Sequence, residues 1–265
     1  MTTPPDDNSA EPLLSKNLIT HLLELRRRLL QWVVTLLVIF FVLFPIQNKV
    51  FEFVALPMIR RMPAGSSMIA TGVVSPFMTP MKLALILALF LSMPVFLWHL
   101  WRFVSPALYK SERRMFFPLL ISSVVLFYAG VAFAYFVLFP VAFAFLTSTA
   151  PAGVKVMTDI NAYLDFILTI FFAFGLAFEV PIAIVLAVWA GFTTPGKLGK
   201  VRPYALVGAF IVGMILSPPD VVSMTLLSIP IYLLYELGMI LARILVPGYR
   251  EVDAQRAERE QSGED

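Results

Sequence analysis

Six long apolar runs constrain the fold of this chain more than any other feature of its sequence. A helix of about 20 apolar residues crosses a bilayer core of about 30 Å, and most of these runs approach or exceed that length. Charged residues make up only 14% of the chain, against roughly 25% in soluble domains. We therefore predict an all-α, polytopic membrane protein with six transmembrane helices. The runs are Leu29–Phe44, Val73–Trp101, Phe116–Phe139, Ile160–Trp189, Tyr204–Leu216 and Val221–Val246.

The fifth run is short, because Arg202 precedes it and the sequence SPPD follows it from Ser217. About 14 residues remain, which make about 21 Å of helix. A bilayer must thin to match so short a span, so we expect thinned lipid beside the fifth and sixth helices.

The basic residues predict the orientation of the chain. An even number of spans places both termini on one side, and fifteen of the twenty lysines and arginines fall there. Cytoplasmic segments carry such an excess, so both termini are predicted to be cytoplasmic. Residues 1–15 and 247–265 are polar and are predicted to be disordered tails around a six-helix domain of residues 16–246. Residues 1–15 also lack the apolar segment of a cleavable signal peptide.

Proline and glycine mark the connections and the bends. The external segments Lys49–Gly72 and Thr147–Asp159 are read as loops, and the first is apolar enough to lie on the membrane or to cover the helices. Prolines inside helices remove backbone hydrogen bonds and bend them, which can build a concave face, although prolines are common in membrane helices. The prolines concerned are Pro80 and Pro94, Pro181 and Pro230 in helices two, four and six.

Glu179 lies near the centre of an uncharged stretch from Phe166 to Phe192. A carboxylate in the bilayer interior is expensive and normally faces protein, water or a partner, so Glu179 is a candidate functional residue. The structural alternative is a protonated side chain that is hydrogen-bonded to a neighbouring helix. Lys82, near the start of the second span, can pair with an acid or extend outward to the membrane surface, and the sequence favours the second arrangement.

Two further acids lie beside basic clusters on the predicted cytoplasmic side. Glu24 precedes three arginines, and its structural alternative is an i,i+4 ion pair with Arg28. Glu112 follows Ser111, and the pair can cap the third helix and complement its dipole. Both carboxylates can instead bind guanidinium groups, because arginine binds carboxylate in a bidentate fork.

Enzymatic chemistry is not predicted. The sequence GFTTPGK from Gly191 has the spacing of a phosphate-binding loop, but Pro195 lacks an N–H and Leu198 replaces the magnesium-binding hydroxyl. Two isolated histidines, His21 and His99, and no cysteine leave little for a metal site or a catalytic triad. The net charge of +3 does not suggest a nucleic-acid-binding protein.

Six motifs occur in order between Asn17 and Arg243. They are HLLELRRR from His21, SPFMTPMK from Ser75, FVSPALYKSERR from Phe103, FEVP from Phe178, RPYALVGAF from Arg202 and PPD from Pro218. Together they closely resemble the TatC family, the multi-spanning subunits of the twin-arginine protein translocase. The resemblance implies a glove-shaped receptor with a concave face in the cytoplasmic (inner) membrane. Its ligands would be twin-arginine signal peptides on folded cargo. TatA, TatB and other copies of the chain would assemble with it, and transport would use the protonmotive force without nucleotide.

The resemblance also implies roles for individual residues. Glu24 and Glu112 match the acids that engage the arginine pair of the signal, and Phe103 belongs to the same patch. Glu179 matches the intramembrane acid of the concave face.

A partner helix is implied at Met214 and Ser217, where the family places a contact at the outer end of helix five. At a nearby position in helix six, where the family has a glutamine, this chain has Met224. Asp220 matches the outer rim of the family or is a helix N-cap.

One reading from another class remains open on the residues alone. A proton-coupled transporter of small molecules could use Glu179 as the proton carrier and Lys82 as its partner. The sequence shows no internal repeat of the kind that marks many such transporters, and the paired surface acids have no role in one. We therefore predict a receptor and assembly scaffold.

Overall fold

The computed structural model describes residues 11–60, 67–104, 116–148, 157–217 and 220–246, and these are mostly helical. Two short strands, β1 (Ser67–Ile69) and β2 (Met157–Asp159), form a parallel pair in which Ser67 lies opposite Met157. Residues Phe44–Ile46 form a 3-10 turn and Ala134–Leu138 a π-helical segment. The helices of the described residues are α1 (Glu11–Leu43), α2 (Gln47–Ile59), α3 (Ser75–Leu91), α4 (Met93–Val104), α5 (Phe116–Phe133), α6 (Phe139–Ser148), α7 (Ile160–Ala177), α8 (Val180–Trp189), α9 (Pro195–Lys200), α10 (Arg202–Leu216) and α11 (Val221–Leu245).

All six apolar runs are helical, as predicted. Among the described residues, four stretches are long and apolar enough to cross a membrane, and α3 and α4 together form a fifth that bends by 41°. The remaining run, the fifth along the sequence, is the shorter apolar helix α10, of 15 residues. The four long stretches are Arg26–Ile59, Phe117–Phe145, Ile160–Trp189 and Val221–Leu245.

Two of the four prolines that were predicted to bend helices lie next to breaks. The bend between α3 and α4 lies just before Pro94, and residues 178–179 form a turn between α7 and α8 just before Pro181. Pro80 and Pro230 lie inside helices that continue through them. The bend of 41° confirms the predicted bending at Pro94, and at Pro181 the helix is interrupted by a turn.

The π-helical segment interrupts the third span two residues before Pro140. Proline has no N–H for the carbonyl four residues earlier, and a π segment is one way in which a helix accommodates the missing bond. Phe127 before the segment, and Phe139 and Phe143 after it, are all buried in the main core.

The fourth span lies at the centre of the fold and the first at its edge. Within the apolar 18-residue stretch of Ile160–Trp189, 50% of the residues are buried, whereas in the corresponding stretch of Arg26–Ile59 only 6% are buried. A Cβ added at Gly130 would overlap the Phe174 carbonyl, so α5 and α7 approach closely there. The central span therefore has several helices against which to hold a polar side chain.

The external segment Lys49–Gly72 differs from the predicted loop. Its first part is helical in α2, which buries Val54, Ala55 and Met58 and packs against α3 and α6. The segment thus covers the helices, one of the two arrangements expected, and continues into β1. At the amino end, α1 begins at Glu11, within the segment predicted to be a tail. Residues 1–10 and 247–265 lie outside the described residues.

Candidate functional site

Glu179 lies in the break between α7 and α8 and contacts α5 through Ser123. The Ser123 hydroxyl donates to Oε2 of Glu179 over 2.8 Å, and the Trp101 indole N–H of α4 donates to Ser123 Oγ over 3.3 Å. Oε1 of Glu179 is buried and has no hydrogen-bond partner among the described residues. A buried acceptor without a partner costs free energy, so this oxygen is suited to a donor from outside the described chain.

A cavity of about 270 Å³ adjoins Glu179. It is lined by α4, α5, α7 and α8, and its polar side chains are Trp101, Ser123 and Glu179. Met93, which follows the first proline-associated break, also lines it, and Glu179 lies in the second break. The two helix breaks and the intramembrane acid therefore meet at one apolar concavity.

Lys82 forms an ion pair with Asp165 of α7, and both side chains are about half exposed. The favoured expectation that Lys82 extends alone to the membrane surface is therefore wrong, because an acid lies within reach on the neighbouring helix. The arrangement also separates Lys82 from Glu179, whose hydrogen bond is to Ser123. The charge pair on which the transporter reading depended is not formed.

Glu24 forms the predicted i,i+4 ion pair with Arg28 on α1. The Arg28 side chain is only 12% exposed, whereas that of Glu24 is 52% exposed. Arg28 also donates to the His99 carbonyl of α4 over 3.3 Å. Arg28 is thus fixed between two helices and holds an accessible carboxylate at their surface.

Two residues predicted to share this surface are not placed beside Glu24 by the structure. Glu112 lies outside the described residues, and Phe103 belongs to α4 with its side chain outside the description. Their roles in signal binding remain predictions.

The C-terminal half of α10 presents a broad apolar face. Met214 is 58% exposed, and only Ala209 and Gly213 of this helix are buried. The Ser217 hydroxyl is buried without a hydrogen-bond partner among the described residues. Asp220 accepts from the Ser223 N–H over 2.7 Å as the N-cap of α11, which confirms the capping interpretation.

A polar cluster joins the two external segments and was not predicted. Asp159 is the N-cap of α7 and accepts hydrogen bonds from the Thr71 hydroxyl over 2.6 Å and the Thr71 N–H over 3.0 Å. These bonds, the hydroxyl foremost, together with N–H donors of α7, lower the pKa of Asp159 to about 2. Asn161, two residues on, bonds to Ser75 and Thr79 of α3. The cluster fixes the start of the central span to its neighbour.

Ser123, Trp101 and Asp165 complete polar contacts that the sequence did not reveal. Single serines and tryptophans are ordinary in membrane helices, and Asp165 lies at the edge of an apolar run, so none has a distinctive local signal. Among the described residues, no three side chains of metal-binding type come together.

Comparisons with known proteins match most of the chain to one family. A family model described as "TatC: Sec-independent protein translocase protein (TatC)" matches residues 20–230. The Sec-independent protein translocase protein TatC of Escherichia coli (strain K12) is 56% identical over 229 residues, or 86% of this chain and 89% of that protein. The protein of the same name from Haemophilus influenzae is 53% identical over 233 residues, with 88% and 91% covered. That of Aquifex aeolicus is 35% identical over 237 residues, with 89% and 98% covered.

Solved structures agree as well. A crystal structure of the twin-arginine translocase receptor TatC has a TM-score of 0.74 and 35% identity, with 84% of this chain and 98% of that chain covered. A second crystal structure of that receptor, in DDM, has a TM-score of 0.75 and the same identity. Together with the apolar helices, these matches make the protein a multi-pass membrane protein. The chain belongs to the TatC family.

Proposed function

We propose that the protein is the signal receptor and assembly scaffold of a twin-arginine translocase, which exports folded proteins by means of the protonmotive force. The observation that carries the proposal is the family match over residues 20–230, which includes Glu24, Phe103, Glu112 and Glu179. The similar solved chains are twin-arginine translocase receptors, which supports the same role here.

We propose that the protein lies in the cytoplasmic (inner) membrane and has six spans, with α10 as the fifth. Both termini would then be in the cytoplasm. The excess of lysine and arginine on the side of the termini supports this orientation. The ends of the spans near Arg28 and Arg202 then face the cytoplasm, and the β1–β2 pair faces outward.

Signal recognition is proposed for the cytoplasmic carboxylates. Arg28 is held by α4 and presents Glu24 at the surface, so a guanidinium group of a signal peptide could bind without reordering this helix. Glu112 would supply the second carboxylate, and Phe103 would contact the adjoining apolar part of the signal. Two bidentate pairs discriminate arginine from lysine, because only arginine has the planar fork.

The test is the binding of a labelled twin-arginine peptide to the purified protein, with a twin-lysine peptide for comparison. Glu24→Gln or Glu112→Gln should each weaken binding by about ten- to a hundredfold, because charged hydrogen bonds of this kind contribute about 1.5–3 kcal/mol. Glu52→Gln, an exposed acid of α2, is the matched control. Unchanged affinity in the double variant at normal membrane levels, or equal binding of both peptides, would refute the proposal.

The partners that we propose are TatA and TatB, with Met214 and Ser217 at the contact with a single-span helix. The exposed apolar face of short α10 supports this, since a partner helix would cover surface beside a mismatched bilayer. We place Glu179 after recognition, as the polar group of the concave face. Its unpaired oxygen would accept a hydrogen bond from the inserted chain. A receptor of this kind performs no covalent chemistry.

A further inference from the structure

Two tyrosines, Tyr128 of α5 and Tyr135 of the π segment, each donate a hydrogen bond to a backbone carbonyl that has lost its helical N–H donor to a proline. In a regular helix the N–H of residue 57 would donate to the Phe53 carbonyl, but residue 57 is proline. The Tyr135 hydroxyl donates to that carbonyl over 2.8 Å. Tyr128 donates in the same way to the Phe90 carbonyl over 3.1 Å, four residues before Pro94.

Both tyrosines line a cavity of about 280 Å³ between α2, α3, α5 and α7. Its other lining residues are all apolar, among them Leu87 of α3 and Leu168 of α7. Because both tyrosine hydroxyls are bound to backbone carbonyls, the tyrosines present their rings to the cavity. The cavity, which we call the apolar slot, therefore accepts only hydrocarbon.

A second cavity, of about 340 Å³, shares Phe53, Tyr135 and Phe136 with the apolar slot and is lined also by Arg60. No acidic side chain lines either cavity within the described part of the chain. Arg60 directly follows α2 and lies seven residues before β1. Hydrocarbon-lined space thus leads to Arg60, which lies on the side of the membrane where the β1–β2 pair lies.

We propose that the two cavities bind one glycerophospholipid, with an acyl chain in the apolar slot and the phosphate against Arg60. The charge of Arg60 complements a phosphate, and lipid acyl chains surround the membrane-facing helices that border the apolar slot. A partner helix does not fit the apolar slot. One helical turn with side chains occupies about 420 Å³, taking a diameter of about 10 Å and a pitch of about 5.4 Å. The proposal is independent of signal recognition, since its test measures lipid alone.

The experiment uses the full chain in phosphatidylcholine nanodiscs that contain a trace of phosphatidylglycerol with a diazirine on one acyl chain. After irradiation, the labelled peptides are mapped by mass spectrometry. Label should concentrate on α2 and on residues 131–136. Arg60→Gln should reduce that label by about fivefold. Lys49→Gln, at an exposed cation of α2 that lines neither cavity, should leave it unchanged. A diazirine diacylglycerol, which lacks the phosphate, should label these segments no more than it labels other lipid-facing helices.

Filling the apolar slot provides the second test. Ala132 is exposed and lines the slot, so Ala132→Trp should abolish the concentrated label, whereas Val125→Trp on the lipid-facing surface of the same span should not. Label spread evenly over the lipid-facing helices of the unaltered protein would overturn the proposal. Equal labelling of the Arg60→Gln and Lys49→Gln proteins would overturn the role of the phosphate and with it the proposed ligand.

Discussion

The bond between Tyr135 and the Phe53 carbonyl predicts a measurable coupling between Tyr135 and Pro57. Tyr135→Phe removes only the hydroxyl, since a phenylalanine ring keeps the stack on Phe53, whose ring centroid lies 5.2 Å away. The carbonyl then loses its donor in a membrane setting, where few waters replace it. We expect a loss of about 1–3 kcal/mol in the free energy of unfolding. In a chain of this size each kcal/mol lowers the thermal midpoint by about 2–4 °C.

A double-mutant cycle isolates this bond. Pro57→Ala restores an N–H four residues after Phe53, so the carbonyl regains a donor within α2. Tyr135→Phe should then cost less than about 0.5 kcal/mol in the Pro57→Ala background, because the hydroxyl has become redundant. Tyr204→Phe, at a tyrosine that is 77% exposed on α10, serves as the matched control and should leave the midpoint unchanged.

The measurement is thermal unfolding of the purified protein in detergent, followed by tryptophan fluorescence, for the four members of the cycle. Equal destabilisation by Tyr135→Phe in both backgrounds would refute the reasoning, because the hydroxyl would then act independently of the proline.

Three further predictions concern the polar groups and the partner face. Glu179→Ala should impair transport more than Glu179→Gln, because only alanine leaves the Ser123 hydroxyl without its acceptor, at a cost of about 1–3 kcal/mol. Both variants should still bind signal peptide, and transport into vesicles under an imposed protonmotive force decides this; full transport by the alanine variant would contradict it. The pKa of Asp159 is lowered from 3.8 to about 2. The hydrogen bonds that its carboxylate accepts therefore stabilise the fold fully when the pH is above 3.8, and this stabilisation is lost as the pH falls through about 2. Hydrogen exchange at the Thr71 amide, corrected for its intrinsic rate, should therefore accelerate between those two pH values, and a flat profile would argue against the assignment. Met214→Lys should abolish crosslinking to a single-span partner while peptide affinity is retained, and persistent crosslinking would show that the contact lies elsewhere.

Helix positions were predictable because apolar length and N-capping are local properties. Asp220 caps α11 as its sequence suggested, and the short span of α10 follows from the residues that bound it. The helix α2 was not predicted, because a proline at position 57 reads as part of a loop. A tyrosine 82 residues from Phe53 supplies the missing bond, and no local pattern reports a contact of that kind.

In the candidate site too, the residues with a local sequence signal were predictable and their distant partners were not. Glu179 was predictable because a lone charge in an apolar run is conspicuous, whereas its partner Ser123 is one of several hydroxyls in another span. Lys82 was conspicuous for the same reason, but Asp165 lies 83 residues away at the edge of a run, and only the packing of α3 against α7 brings the two together.

The π segment at Ala134–Leu138 holds one residue more than a regular α-helix would need to join the two halves of the third span. Because the segment takes up that extra residue locally, Phe127 before it and Phe139 after it both face the core. Deletion of one residue within the segment would therefore close it into a regular α-helix and leave both phenylalanines in the core. The same deletion in the regular part of α5, between Phe127 and the segment, would rotate the two halves by about 100° relative to each other, because successive residues of an α-helix are rotated by about that angle.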